Sequence, residues 1–373
     1  MPEQFCNSPW NHMNINNKGN IKPCCIFWDS KQPEPGEDIF KWYQNAYEDV
    51  KEQGINHIGC SVCKKAEDLG VPSRRQVRGN KHYSKTNKIT YLDMSFGNTC
   101  NLKCRMCESR NSTKWISDEQ KLVEQGFDIE RDIIKKYEMP DERLNQIVNY
   151  LNTTDVEDFT LEIKGGEPFV TDQFLNFIDR LSDDFKKKTE LIIFSNGTGV
   201  SDYYIQKLKS FKKIRCNLSI EAVGPLYNYI RGGEKHSDID AMHFMSKMLK
   251  NLDNFEPGVS VTVTMYNIFN LPQLLNEIKN YLPGSDYSKV FNSVSYNPTY
   301  LDPANLPQSA KDKLMKKYKK FPSFVNVVKY LNERPRDASK WKKFKEFTHK
   351  LDDIRKENIF EVAPQFKEYW DEE

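Results

Sequence analysis

Between residues 91 and 298 the chain alternates short β-branched and aromatic runs with longer stretches whose apolar side chains recur at helical spacing. The runs 91–96, 159–164, 191–194, 214–220, 259–266 and 293–296 read as strands; 141–151, 172–181, 202–211, 237–252 and 271–282 read as amphipathic helices. Thr171, Ser201 and Ser237 stand where helix N-caps belong. Strand-then-helix units in succession predict parallel strands with right-handed crossovers, in an open sheet or a barrel. The six strands read here fall short of a full eight-unit barrel.

The flanks carry other patterns. Residues 1–88 are rich in Asn, Pro and Gly, with one good helical stretch at 39–53. Such a segment lacks the apolar content for its own core, and a metal centre would supply the missing cross-links. Beyond residue 298, lysine-rich helical segments at 309–319, 323–333 and 338–358 are broken by Pro322, Pro335 and Pro364 and carry no legible chemical motif. The expected division is 1–88, 89–298 and 299–373.

Composition narrows the setting. With 38% hydrophobic residues, 29% charged residues and a mean hydropathy of −0.74, the chain reads as soluble and globular. No apolar run approaches the roughly 20 residues of a membrane span, and residues 1–10 lack a signal-peptide layout, so a cytoplasmic location and no membrane partner are expected. Lys and Arg (55) nearly balance Asp and Glu (53), leaving a net charge of +2 and no global attraction to nucleic acid. The basic runs 186–188 and 316–320 read as solvated helix faces.

Nine cysteines in such a chain point to metal rather than disulfides. All but Cys216, which falls in a strand and reads as a buried core thiol, are grouped: Cys6, Cys24 with Cys25, Cys60 with Cys63, and Cys100 with Cys104 and Cys107. Directly after the first strand, Cys100, Cys104 and Cys107 would satisfy three irons of a cubane cluster and leave the fourth open to an outside ligand. A three-cysteine zinc site completed by His or Asp is the alternative. The second strand ends in Gly165-Gly166-Glu167-Pro168, where glycines permit close backbone approach and the acid can accept from an ammonium.

The three-then-two cysteine spacing resembles the signature of the radical S-adenosylmethionine (SAM) superfamily. The resemblance implies a [4Fe-4S] cluster whose open iron is chelated by the amino and carboxylate groups of SAM. An electron passed into SAM then yields a 5′-deoxyadenosyl radical that abstracts hydrogen from substrate. Met106 stands where relatives usually place an aromatic residue against adenine, and a thioether can pack there. Gly165, Gly166, Glu167 and Pro168 resemble the motif that meets the SAM amino group. Ser195 and Asn196 close the third strand. Ser219 and Glu221, at the end of the fourth strand, resemble ribose-contacting positions, although relatives usually carry Asp in place of Glu221. Arg231, followed by Gly232 and Gly233, resembles the position that meets the methionyl carboxylate. Independently of family, all these groups fall at the carboxyl ends of consecutive parallel strands, where α/β folds bind ligands.

Cys6, Gly19, Cys24 and the Cys60/Cys63 pair resemble a twitch domain, a reduced SPASM domain holding one auxiliary [4Fe-4S] cluster, and Glu67, Gly70 and Ser73 fit the same group. In most relatives that domain follows the barrel; here it precedes it. Four thiolates would close the auxiliary cluster and favour an electron conduit, with a four-cysteine zinc site as the competitor. Cys25 adjoins a ligand without pointing the same way, and His12 and His57 are either outer partners or surface residues.

The expected fold class is α/β: a partial (β/α)6 TIM barrel of radical SAM type, with a small loop-rich N-terminal iron-sulfur domain and a C-terminal helical extension. The implied function is oxidative modification of a peptide or protein side chain, with a small-molecule substrate as the alternative and an electron donor such as flavodoxin or ferredoxin as partner. Asp93, Ser95, Glu162 and Lys164 either line the cavity or form ion pairs inside the barrel. No general base is assigned. The reading from another class is a non-enzymatic zinc protein that binds nucleic acid or protein through its basic helices.

Overall fold

The computed structural model describes residues 6–68, 73–78, 88–232, 237–282, 290–291, 293–295 and 298–372. Gly70, Gly233 and Tyr296, which the sequence motifs and the sixth run include, lie outside them. Seven strands form one sheet: β1 (His12–Ile15), β2 (Ile21–Lys22), β3 (Tyr91–Met94), β4 (Phe159–Ile163), β5 (Thr189–Ser195), β6 (Lys213–Ser219) and β7 (Phe255–Ser260). Their spatial order is β2-β1-β3-β4-β5-β6-β7; only β1 and β2 run antiparallel. Each neighbour from β3 to β7 is also the next in sequence, the arrangement expected of repeated right-handed crossovers. Two short strands, Thr262–Val263 and Ser293–Val294, pair parallel in a separate sheet.

Alternation along the strands separates two faces. Leu92, Met94, Leu161, Ile163, Leu191, Ile193, Ile214, Cys216 and Leu218 are fully buried on the face covered by crossover helices. The opposite face carries Asp93, Glu162, Glu190, Asn217 and Ser219. A period of two therefore puts an apolar core on one side and a polar interior on the other. The crossover helices Asp141–Thr153, Asp172–Arg180, Asp202–Leu208, Asp238–Asn251 and Leu271–Tyr281 match the helical stretches read from sequence. Ser201 accepts from Tyr204 N, and Ser237 forms a capping box with Asp240; Thr171 holds the N-cap position without a side-chain bond.

Three elements depart from expectation. The sheet runs across the boundary expected at residue 88, because β1 pairs in parallel with β3 and buries Met13 and Ile15 in the common core. Four residues alternating His, Met, Asn and Ile give little local strand signal, and their partner lies far along the chain. The single helix expected at 39–53 breaks at Tyr47, giving Ile39–Ala46 and Glu48–Gln53; the buried Tyr47 hydroxyl donates to Ile21 O at 2.6 Å. The fifth predicted strand begins earlier, at Phe255, and includes Pro257 and Gly258. An edge strand tolerates the missing proline N–H, and a Cβ at Gly258 would lie 2.3 Å from Asn217 Oδ1.

Candidate functional site

The loop after β3 brings Cys100, Cys104 and Cys107 to the carboxyl edge of the sheet. Asn98 shapes it: its Nδ2 donates to Ser109 O (2.8 Å) and Lys135 O (3.1 Å), and its Oδ1 accepts from Tyr137 N (2.8 Å). Trp115 Nε1 donates to Cys104 O at 2.8 Å. The loop backbone is then sewn to two other segments. Glu167 N donates to Thr99 O (2.9 Å), while Lys103 N and Arg105 N donate to Arg231 O (3.3 Å) and Ile230 O (2.7 Å). The segments expected to meet SAM are thus hydrogen-bonded to the cysteine loop itself.

Burial pushes the Cys100 thiol up to about 12, with Cys104 and Glu167 adding to the rise. Cys104 and Cys107 are also raised, first by burial; Arg231 opposes the shift at Cys104, and the other two thiols reinforce it at Cys107. Three mutually repelling buried thiols ionise together only if positive charge arrives among them, which an iron cluster supplies. Asn196 Nδ2 stands 4.0 Å from Cys100 Sγ and Arg231 Nη1 3.5 Å from Cys104 Sγ, two donors already directed at sulfur.

Glu167 is 1% exposed. Its carboxylate accepts from Asn196 N (2.6 Å), Ser195 Oγ (2.8 Å) and Phe169 N (3.3 Å), and it caps the short turn that Pro168 opens. Burial nevertheless lifts its pKa to about 7, against those hydrogen bonds and the Arg231 charge. Gly165 and Gly166 have φ of 79° and 57°. Besides the close approach of a ligand expected of these glycines, the fold packs them tightly. A Cβ would lie 2.2 Å from Ser95 Oγ at the first and 2.3 Å from Thr99 O at the second, so Gly165 lets the end of β4 close on the end of β3, and Gly166 on the cysteine loop.

Glu221 and Arg231 are both buried and pair with each other at 2.7 Å. Glu221, the residue expected toward a ribose, is thus engaged by Arg231. Ser195 is bound to Glu167, and Ser219 lies half-buried on the polar face of β6. Met106 is partly buried against the core. Arg231 Nε, Thr99 Oγ1 and Tyr227 Oη are buried without a hydrogen-bond partner among the described residues. Such orphaned groups around the cysteine loop are what a polar cofactor would satisfy. Sequence reasoning missed Tyr227; its position four residues before Arg231 on the helix Pro225–Arg231, hence on the same face, was the available signal.

In the amino-terminal region, Cys6, Cys24, Cys60 and Cys63 all line one cavity, with Arg74 and Arg75 at its wall. Burial raises Cys24 and Cys60 to about 12 and also raises Cys6, with neighbouring thiols contributing in each case. Cys25 is absent from the lining and lies toward Arg74 and Lys164, whose charges it influences. His57 supports the turn before Cys60, accepting from Gly59 N at 3.0 Å. His12 instead sits in the sheet interior, 3.9 Å from Asp93. Glu67 accepts from Ser73 and pairs with Arg75. Among the described residues, no three His, Cys, Asp or Glu side chains are drawn together as ligands of a single metal ion.

Between the two thiol groups lies a charged interior. Lys164 Nζ reaches Asp93 (2.5 Å) and Glu162 (3.2 Å), and Tyr91 donates to Glu162. Ser95 turns away from it, donating to Gly97 O at 2.9 Å.

A profile described as the radical SAM superfamily matches residues 94–271. This chain carries a radical SAM superfamily domain. The matched segment contains the three-cysteine loop, Glu167 and Arg231; the four-cysteine cavity and the carboxyl-terminal helices lie outside it. The GTP 3′,8-cyclase of Sulfurovum sp. (strain NBC37-1) is 26% identical over 179 residues, 48% of this chain and 46% of that protein, so the chain spans about half the length of this curated relative. Among solved structures, native anSMEcpe with bound AdoMet aligns with a TM-score of 0.39 at 18% identity, covering 64% of this chain and 62% of the other. Streptococcus suis SuiB bound to precursor peptide SuiA aligns with a TM-score of 0.37 at 12% identity, covering 83% and 65%. No helix among the described residues is long and apolar enough to cross a membrane.

Proposed function

We propose that this chain is a radical SAM enzyme in which Cys100, Cys104 and Cys107 hold a [4Fe-4S] cluster, and Cys6, Cys24, Cys60 and Cys63 hold an auxiliary one. The observation that carries the reading is the position of the three-cysteine loop, whose backbone is bonded to the segments bearing Glu167 and Arg231. When bound, the cluster and SAM supply an adenosyl radical that takes a hydrogen atom from substrate. The chain's own groups bind and orient. Glu167, poised near pH 7, gains from an ammonium beside it, and Arg231 offers its Nε to a carboxylate. Gly165, Gly166, Pro168, Ser195, Asn196 and Ser219 shape the pocket, with Met106 beside adenine.

The four-cysteine cavity supports a closed cluster with no iron left for substrate, hence a route for an electron and an oxidative net reaction. A cubane gives each thiolate its own iron corner, so the thiols need not meet at one point as zinc ligands must, at about 2.3 Å from the ion. The substrate in this reading is a peptide or protein side chain held over Asp93, Glu162 and Lys164, in a cytoplasmic enzyme reduced by flavodoxin or ferredoxin. Residues 1–88 serve the auxiliary cluster, 89–298 the radical chemistry and 299–373 its support. The partial identity to a GTP 3′,8-cyclase favours a second reading, a small-molecule substrate. Anaerobically purified protein should carry about eight irons per chain. Incubation with dithionite and SAM should release 5′-deoxyadenosine. Stoichiometric zinc without iron, or no release, overturns the proposal.

A further inference from the structure

The carboxyl-terminal helix Ala338–Arg355, which bears no motif of its own, reaches the three-cysteine loop at its most enclosed point. Arg105 lies between two of the cysteines in sequence, and its side chain is fully buried. Its Nε donates to Tyr229 O at 3.0 Å, and its guanidinium lies 3.5 Å from the centre of the Tyr229 ring. Its charge is answered from the tail: Nη2 pairs with Asp352 at 2.5 Å and with Glu357. Asp352 also accepts from Tyr229 Oη (2.9 Å) and Ile359 N (2.9 Å). Tyr229 is two residues from Arg231, so Arg105 joins three parts: the cysteine loop, the arm bearing Arg231 and the tail.

A second contact runs alongside. Arg355 Nε bonds Asp118 at 2.8 Å, and its guanidinium lies 4.7 Å from the Trp115 ring, whose Nε1 holds Cys104 O. The Arg355 charge also favours the ionised form of Cys104. From the tail, the largely buried Asp352 and the partly buried Glu357 thus meet the fully buried guanidinium of the loop, and the Arg355 charge reaches Cys104. Charges in such surroundings act more strongly than at a surface.

We propose that Asp352 and Glu357 are positioning residues of the cluster site, setting through Arg105 how readily a cluster on Cys100, Cys104 and Cys107 accepts an electron. The reduced cluster carries one more negative charge than the oxidised one, so uncompensated positive charge at Arg105 favours reduction and loss of that charge opposes it. This inference rests on the function proposed above.

The test uses the full chain with its clusters reconstituted anaerobically, and redox titration of the paramagnetic signal that added SAM perturbs. Glu357→Gln and Asp352→Asn should raise the reduced-to-oxidised ratio at a fixed potential about tenfold, a shift of about 59 mV for one electron. Arg105→Gln should move it in the opposite direction. Iron content should stay at the parent level in the two acid variants. Loosened packing alone would not produce opposite signs. Unchanged midpoints in both acid variants with iron retained, or shifts of the same sign in all three, overturn the inference. If Arg105→Gln does not fold, the acid variants carry the test. Absence of iron at the loop of the parent protein defeats the underlying function instead, a result visible before any titration.

Discussion

The two cysteine groups are both clusters of half-buried thiols, yet their surroundings differ. Around Cys100, Cys104 and Cys107 stand a buried acid near its titration point and, without hydrogen-bond partners among the described residues, a donor of the buried Arg231 guanidinium and the Thr99 and Tyr227 hydroxyls. Around Cys6, Cys24, Cys60 and Cys63 the wall adds apolar side chains and two arginines. In the proposed function the first arrangement would leave room for a charged polar cofactor beside its cluster. The second would close on its cluster alone, and the number of thiols follows the same distinction.

The largest effect should come from separating the two. Cys104→Ala should lose about four irons and abolish 5′-deoxyadenosine release, because SAM loses its anchoring iron. Cys63→Ala should also lose about four irons yet retain release, with substrate turnover lost. Iron analysis and product chromatography check both. Loss of release in Cys63→Ala, with the loop cluster intact, would break the comparison.

Glu167 gives the next effect. Burial raises its pKa to about 7, above the usual carboxylate value, so the folded state holds the proton more tightly than the unfolded chain. Its contribution to stability is therefore greatest at acidic pH and is lost as pH rises toward 7. SAM binding should run the other way, strengthening as pH rises through about 7, because the ionised carboxylate is the form that receives an ammonium. Calorimetric titration of the loaded enzyme between pH 6 and 8 should show this slope, and Glu167→Gln should flatten it while weakening affinity about tenfold or more.

Gly166→Ala is expected to cost about 1–3 kcal/mol, since φ of 57° and a Cβ placed 2.3 Å from Thr99 O both strain the junction with the cysteine loop. Denaturant unfolding measures the cost, and a fall in bound iron should accompany it. The Cβ would press on Thr99 and not on the four-cysteine cavity, so the iron proposed there should remain.

How much of this was legible in the chain varies with sequence distance. The strands from β3 to β6 and their helices follow from local periodicity, and the carboxyl-end position of Glu167 and Arg231 follows from strand order. The placement of β1 does not, because its hydrogen-bond partner Tyr91–Met94 lies beyond a long irregular segment. The Glu221–Arg231 pair was hidden for another reason: each residue fitted a separate ligand role, and only the fold shows that they satisfy each other. The tail's part was invisible because Arg105, Asp352 and Glu357 resemble any surface charges until burial makes them costly to leave unpaired.

The smallest effect concerns the thiol outside both groups. Cys216 is fully buried on the helix-covered face of β6, registered between Ile193 and Pro257, and burial, with the Glu167 charge second, pushes its pKa far up. Such a thiol packs as a small apolar group and has no access to metal. Cys216→Ala should lower stability by about 1 kcal/mol, the loss of one sulfur's packing. Iron content and 5′-deoxyadenosine release should stay at parental levels. Its neutrality would show that ligation depends on which face of the sheet a cysteine occupies, because Cys216 is as buried as any thiol in the chain and differs from the loop thiols chiefly in pointing to the helices.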